Sequence, residues 1–314
     1  MEYPKIGIIL VNWNGLADSL ECLASLQKVS YPNYQIILVD NGSVDASTTR
    51  IPELYPDILF IPTGKNLGWA GGNNVGIQEA QKHNCEYLFL LNNDTVVEPD
   101  CLNKLVQAAH ELGPSLLHPA LYYYDEPHIP QLDPSYGSPP PHPPVIPMNH
   151  AYGAALFVHA SIFKKIGLFD ERFFLQLEET DFYYRAARQD FKAFCITNTK
   201  VFHKVSRSFG GRISPLKTYY TARNSLLIFF KHPRAQGSLL MGIKNVLWQF
   251  QTLAAFDTPK ISPSTQISLG QLFLRLFAQN PFSQALRYAL ADFLQMRFGM
   301  IAQSKQRALQ KKPN

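Results

Sequence analysis

Five short stretches of the sequence place carboxylates, side-chain amides and glycines where they can meet a ligand. Asn12-Trp13-Asn14-Gly15, Asp40-Asn41-Gly42-Ser43, the glycine-rich run from Gly64 to Ile77, and Asn92-Asn93-Asp94-Thr95 each follow a short apolar run. The fifth, Leu177-Glu178-Glu179-Thr180-Asp181, sets three carboxylates at the start of a segment with helical spacing. Carboxylate and amide oxygens are the ligands a hard divalent cation selects. A carboxylate at a helix N-terminus can act as a general base, or can simply complement the helix dipole. The plain account of the first four is that Asn, Asp and Gly are turn residues, an account that needs four consecutive coincidences. The glycine-rich run lacks the Lys and Ser/Thr pair of a P-loop.

The elements that would position these residues can be read from periodicity. Ile6 to Val11, Tyr34 to Val39, Ile58 to Ile61 and Tyr87 to Leu91 are short apolar runs, separated by segments with helical spacing such as Ser19 to Leu26 and by a helix that follows the glycine-rich run to about Lys82. Strands alternating with helices predict a mostly parallel, doubly wound α/β sheet, because parallel neighbours need a crossover connection. Ligands of such sheets sit at the carboxyl ends of the strands, which is where the polar segments fall. Ala151 to Val158, Phe194 to Thr197 and Val201 to His203 read as further strands, and Ile162 to Ile166 and Glu178 to Gln189 as helices. Between Asp125 and Pro147 the density of proline excludes helix and central strand and predicts an extended surface loop, either a flap over an acceptor groove or an insertion without a role.

Beyond about Lys231 the texture changes to helices with apolar stripes: Leu239, Ile243, Val246, Leu247, Phe250 and Leu253, then Leu269, Leu272, Phe273, Leu276 and Phe277, then Leu286, Ala289, Leu290, Phe293 and Leu294. The regions of Pro259, Pro263 and Pro281 separate them, and the last dozen residues read as frayed. The expected organisation is a catalytic domain over 1–230 and a basic amphipathic helical region over 231–314.

Bulk properties narrow the function classes. A 314-residue chain with 46% hydrophobic residues can bury a large core. Its four cysteines lie far apart, which suggests neither a zinc cluster nor a disulfide framework and fits a reducing cytoplasm. The N-terminus has no signal-peptide pattern, and no run of eighteen apolar residues suggests a spanning helix. From His232 onward ten basic residues stand against Asp257 and Asp292, a balance of +8 that leaves −3 for the rest of the chain. Such a region can lie on anionic lipid as interfacial helices, or pack as a bundle or dimer interface. No recognised motif accompanies the charge to suggest nucleic acid.

Taken in order, the pieces resemble a known family. VNWNG at Val11 to Gly15, VDNGSVD at Val39 to Asp45, NLGWAGGNNVGI at Asn66 to Ile77, LLNNDT at Leu90 to Thr95, GAALFV at Gly153 to Val158, IGLFDERFFLQLEETDFYYR at Ile166 to Arg185, His203 and YYTARN at Tyr219 to Asn224 are similar to the pattern of family 2 inverting glycosyltransferases with the GT-A fold, in their rhamnosyltransferase-like branch. The resemblance spans roughly the first 230 residues.

The resemblance implies roles for particular residues. Asp94 takes the last position of the family's Asp-x-Asp motif and would bind Mg²⁺ or Mn²⁺, with His203 as a second protein ligand. The motif reads Asn92-Asn93-Asp94 here, so its first carboxylate is absent. Asp40 would hold the nucleobase or ribose of the donor, with Val11, Asn12 and Asn14 on the other side of that pocket. Asn66, Gly71, Asn73, Asn92 and Asn93 complete the donor site, the glycines permitting close backbone approach. Glu179 stands at the position of the catalytic base, flanked by Glu178 and Asp181, where relatives carry aspartate. Trp69 lines the sugar pocket or staples its loop. Arg185 and Arg223 contact the diphosphate or brace the acidic loop, bracing being the safer reading, and Tyr219 and Tyr220 belong to core or groove wall.

The implied activity is transfer of a sugar, rhamnose first, from dTDP-rhamnose or a UDP-sugar to a hydroxyl of a cell-surface glycan or lipid-linked acceptor, with inversion. The alternative is a nucleotide-sugar-binding or scaffolding protein of the same fold with little turnover. The expected location is cytoplasmic, with peripheral contact to the inner face of the membrane through residues 232–314 left open.

Overall fold

In the computed structural model, residues 3–131, 143–205, 214–235, 237–255 and 268–310 are described. Most of the proline-dense stretch, the Pro259 and Pro263 region and the last four residues of the expected frayed terminus lie outside them. By packing, the chain forms two units. One comprises 1–170 and 182–208, the other 171–181 and 209–314.

The first unit is built on β1 (Ile6–Asn12), α1 (Leu16–Leu26), β2 (Tyr34–Asp40), α2 (Ser47–Leu54), β3 (Leu59–Pro62), α3 (Gly68–Lys82), β4 (Tyr87–Asn92), β5 (Thr95–Val97), α4 (Cys101–Leu112), β6 (Leu116–Tyr123), β7 (Val145–Met148), β8 (Ala155–His159), α5 (Ala160–Ile166), most of α6 (Glu178–Ala187) and β9 (Ala193–His203). The strands form one sheet in the order β3-β2-β1-β4-β8-β6-β9-β5, with β7 paired to β9. Its first four strands are parallel, as the alternation with helices requires. Beyond β4 the sheet is mixed: β8 runs antiparallel to β4 and β6, β9 runs parallel to β6, and β5 and β7 run antiparallel to β9.

The strand period of two sorts side chains onto two cores. Ile6, Ile8, Leu10, Leu38, Phe89 and Leu91 point to one face with Cys22, Leu23 and Leu26 of α1 and Leu102 and Leu105 of α4. Ile9, Ile37, Val39, Leu88 and Leu90 point to the other with Ala70, Ile77 and Ala80 of α3 and Ile162 and Phe163 of α5. Because both faces are covered, the central strands read as continuous apolar runs rather than alternating ones. All four cysteines are buried, and none is in a disulfide among the described residues.

Three local expectations change. The glycine-rich run is not a loop throughout, for α3 starts at Gly68 and takes in the part from Gly68 to Ile77. A Cβ at Gly76 would stand 2.3 Å from Ile9 Cγ2, and one at Gly72 2.7 Å from Val11 Cγ1. These two glycines therefore let α3 lie directly on β1, and close packing against the sheet outweighs their poor helix propensity. Val145–Met148, at the end of the stretch read as surface loop, forms β7, which among the described residues pairs with β9 alone and so leaves Pro147 at an edge where its missing N–H is tolerated. The two short strands at 194–197 and 201–203 are one strand, β9, interrupted by a shift of register against β6 between Pro119 and Ala120.

In the second unit α7 (Pro215–Lys231), α8 (Leu239–Ala255), α9 (Leu269–Leu276), α10 (Pro281–Leu294) and α11 (Gln303–Gln310) follow one another. Their starts are written in the sequence. Ser214 and Asn280 each precede a proline at the first helical position and accept from Lys217 N and Ser283 N. Ser268 and Gln271 form a reciprocal capping box on α9. Tyr219 donates to Asp292 Oδ2 at 2.9 Å, and Tyr220 OH accepts from Ile301 N, tying α7 to the chain around α10.

Candidate active site

In the first unit the carboxyl ends of β1, β2 and β4 carry a buried polar network. Asn12, fully buried, donates through Nδ2 to Asp40 Oδ2 at 3.0 Å and to Ser43 Oγ. Its Oδ1 accepts from Gly15 N, Ser19 Oγ and Asn93 Nδ2. Asn93 also donates to Ser19 Oγ at 2.8 Å. Asp40 Oδ1 accepts from Ser43 N, closing the turn after β2. Asn14, in the left-handed region at φ 52°, accepts from Val44 N at 2.7 Å and presents its own N–H to Ser43 Oγ. Asn12 and Asn93 are thus occupied in holding strand ends together, whereas Asp40, with one partner on each oxygen, keeps acceptor capacity.

The segment before α3 is organised by Asn41, a member of the polar end of β2 to which the sequence assigns no role of its own. Its Oδ1 accepts from Leu67 N, and its Nδ2 donates to Gly68 O and Asn66 Oδ1. Asn66 Oδ1 also accepts from Gly68 N at 2.8 Å. Gly71 is buried within α3. Asn73 donates to Trp69 O one helical turn back, so its amide serves the helix, and Asn74 grips Phe169 through both backbone groups. Trp69 donates from its indole to Asn92 Oδ1 at 2.9 Å and lies edge-on to Phe169.

The end of β4 meets the end of β9 through β5, since Thr95 pairs with His203. Asp94 is almost fully buried, and its Oδ1 stands 3.2 Å from His203 Nε2. That spacing is close to the edge of an octahedron with ~2.1 Å bonds, about 3 Å, so the two atoms can be neighbouring ligands of one divalent cation. Among the described residues no group of three or more His, Cys, Asp or Glu is placed to hold a metal ion. A cation here would take its remaining ligands from a diphosphate and water, which suits Mg²⁺ or Mn²⁺. Asn92 Nδ2 lies 3.5 Å from the same His203 nitrogen. Lys204, next in the chain, donates its N–H to Asp94 O and its ammonium to Asp18 and Glu21, fixing the end of β9 to α1.

The second unit holds Glu178, Glu179 and Asp181 in the first turn of α6. The approach to them is strained: Phe174, Gln176 and Leu177 all have positive φ, between 63° and 72°. Each non-glycine residue in that region costs of order 1–3 kcal/mol and persists only where its surroundings enforce it. The enforcing groups are Arg223 and Asn224 of α7, both fully buried. Asn224 Nδ2 donates to Phe173 O, Leu175 O and Gln176 O within 2.9 Å. Arg223 donates to Arg172 O, Phe173 O and Gly299 O, and its guanidinium lies over the rings of Tyr219 and Tyr220. Asn224 Oδ1 accepts from Arg223 Nε and Nη2, so the two act as one clamp.

The three carboxylates differ in environment. Asp181, fully buried, accepts on Oδ1 from Lys231 Nζ at 2.5 Å and His232 Nε2 at 2.7 Å, which makes it an anchor of α6 to the end of α7. Glu178 is buried, and its Oε2 has no hydrogen-bond partner among the described residues. Burial and the neighbouring Glu179 push its carboxyl well above the ordinary range. Burial also lifts Glu179, to about 7. In the first unit Arg185 donates to Ile166 O and Leu168 O, a bracing role.

Comparison with known proteins agrees with this architecture. Residues 7–161 match the model of Glycosyl transferase family 2. The low-salt glycan biosynthesis hexosyltransferase Agl10 of Haloferax volcanii is 29% identical over 197 residues, covering 59% of this chain and 62% of that protein. The N-acetylglucosaminyl-diphospho-decaprenol L-rhamnosyltransferase of Mycobacterium tuberculosis is 24% identical over 221 residues, covering 60% of this chain and 72% of that protein. The chain thus spans less than two thirds of the archaeal relative. Among solved structures, the mannosyltransferase PcManGT from Pyrobaculum calidifontis, in complex with GDP-Man and Mn²⁺, superposes with a TM-score of 0.58 at 13% identity, over 93% of this chain and 88% of that one. The fold is that of the GT-A glycosyltransferases, followed by C-terminal helices. By that match, residues 7–161 belong to glycosyl transferase family 2.

Proposed function

We propose that the protein transfers a sugar, rhamnose in first place, from a nucleotide-diphosphate donor to a hydroxyl of a cell-surface glycan or lipid-linked acceptor, with inversion and with Mg²⁺ or Mn²⁺. The observation that carries this reading is the pairing of Asp94 and His203 at ligand spacing, at the end of a sheet whose neighbouring strand ends present Asp40 and Asn92. The mycobacterial rhamnosyltransferase among the relatives supports rhamnose and a lipid-linked acceptor, and the Mn²⁺ complex among the fold's neighbours supports the metal.

In this reading Asp40 holds the nucleoside, and Asn92 faces the sugar or ribose. Asp94 and His203 would hold the cation, which would neutralise the charge that grows on the departing diphosphate. Glu179 accepts the proton of the acceptor hydroxyl as that oxygen bonds to the anomeric carbon. The anomeric carbon–oxygen bond to the phosphate breaks on the opposite face, the electron pair leaves with the nucleoside diphosphate, and the configuration inverts. A base near 7 suits this step at neutral pH.

A screen of dTDP- and UDP-sugars with Mn²⁺ by thermal shift tests the donor. The true donor at a hundredfold excess over its Kd stabilises the chain by about 2.7 kcal/mol, and Asp94→Ala removes the metal-dependent part of the shift. A chain that binds no nucleotide sugar overturns the reading. One that binds a donor with Mn²⁺ yet transfers to no acceptor supports the binding-protein alternative.

The acceptor side of the proposal includes contact with lipid. Apart from Tyr3, Val44 and Leu54, every exposed large apolar side chain among the described residues falls between Phe230 and Met300, including Leu240, Trp248, Phe273 and Leu274. The only charged residues in α8 and α9 are Lys244 and Arg275, which favours an anionic surface. No helix among the described residues is long and apolar enough to cross a membrane. The full chain is expected to float with phosphatidylglycerol-containing liposomes and to be released by high salt, and sedimentation away from such liposomes at low salt overturns this contact.

A further inference from the structure

We propose that Gln131 is a positioning residue for the metal, fixing by hydrogen bonds which nitrogen of His203 is presented beside Asp94. The inference rests on the reading of Asp94 and His203 as ligands and adds a residue that lies outside every motif discussed above. The chain after β6 turns back on itself, with Tyr123 N donating to Ile129 O and Gln131 N to Leu121 O, so that Gln131 comes to lie against the ends of β6 and β9.

The orientation of the Gln131 amide is determined by its surroundings. One end lies 2.9 Å from Tyr122 O and 2.7 Å from His203 O. Both are carbonyl oxygens and can only accept, so this end is the NH₂ group. The other end, Oε1, is therefore an acceptor, and it stands 2.9 Å from His203 Nδ1. Nδ1 therefore presents its N–H to Oε1, and Nε2 is the ring nitrogen left to face Asp94.

Nε2 thus faces Asp94 Oδ1 at 3.2 Å, a spacing at which the two atoms can share one cation. A histidine ligand whose second nitrogen is held by a hydrogen bond keeps its ring orientation and gains basicity, and loss of such a partner weakens metal binding about 10- to 100-fold. Here the partner also grips the backbone carbonyl of the same histidine, so ring and strand are fixed by one side chain.

The test uses the full chain. In histidine-labelled wild type without metal, ¹⁵N NMR at neutral pH is expected to show His203 as the Nδ1–H tautomer, and the Nε2–H tautomer overturns the inference with no variant needed. Gln131→Met, which keeps length and removes both hydrogen-bonding ends, is expected to mix the tautomers and weaken Mn²⁺ binding about 10- to 100-fold, read by electron paramagnetic resonance with UDP or dTDP present. Circular dichroism checks that the variant is folded. If Gln131→Met binds Mn²⁺ like wild type while His203→Ala does not, the inference fails and the metal reading stands. If His203→Ala also binds like wild type, both fail.

Discussion

Glu179→Gln is expected to lower transfer by about 10²- to 10⁴-fold while leaving nucleotide-sugar binding within a few-fold of wild type. Glutamine keeps the size of the side chain and removes its ability to take a proton, so the loss should lie in kcat. The wild-type pH profile has a defined sign. A base must be ionised to act, and Glu179 is lifted to about 7, so kcat is expected to rise as pH increases through about 7 and level off above it. A profile that is flat from pH 5 to 9 would sink the assignment. Glu178→Gln separates the two neighbours: with Glu179 as the base, Glu178 should tolerate the change with a modest loss of rate.

Glu178 also makes a stability statement. A carboxyl whose folded-state pKa is raised is no burden below the ordinary carboxylate range, where it is protonated folded and unfolded alike. The burden appears above that range, as the unfolded chain ionises and the folded one resists. Glu178→Gln is therefore expected to raise the melting temperature at pH 8 and to have little effect at pH 4.

The largest effect on stability is expected at Asn224. Asn224→Leu preserves volume and removes the donor that serves Phe173 O, Leu175 O and Gln176 O, and it removes the acceptor that orients Arg223. Breaking a buried polar network that leaves such groups unpaired costs about 3–5 kcal/mol, a drop in melting temperature of roughly 10 °C. The strained backbone at Phe174, Gln176 and Leu177 would then relax, moving the helix start that carries Glu178 and Glu179. Transfer is expected to fall further than nucleotide binding in this variant, measured at a temperature where it remains folded. Unchanged melting and unchanged transfer would show that the clamp has no such role.

The residues differ in how much of this could be read without coordinates. The parallel half of the sheet was legible because each strand there is buried on both faces and each crossover is a helix, so apolar runs alternate with helical spacing. β6 and α4 follow Asp94 with equally apolar text, yet their order in the sheet depends on antiparallel pairing with β8 that no local period announces. The glycines of α3 were visible as glycines. Their reason, the side chains of Ile9 and Val11 on a strand some sixty residues earlier, was not.

Asn12, Asn73 and Asp181 show the same limit at the candidate site. Each has the chemistry of a ligand-binding or catalytic residue, and each is engaged by partners in its own unit: Ser19 and Asn93, Trp69, and Lys231 with His232. What the sequence by itself determined is the set of polar strand ends, the family, and the carboxylates at the start of α6, because these depend on residue type and local period. Only the tertiary structure decided which side chains are occupied, since a hydrogen bond is a matter of ångströms between residues far apart in the chain. It brought Gln131 to His203, and Arg223 with Asn224 to the loop before Glu178, pairings separated by 72 and about fifty residues that no spacing rule could anticipate.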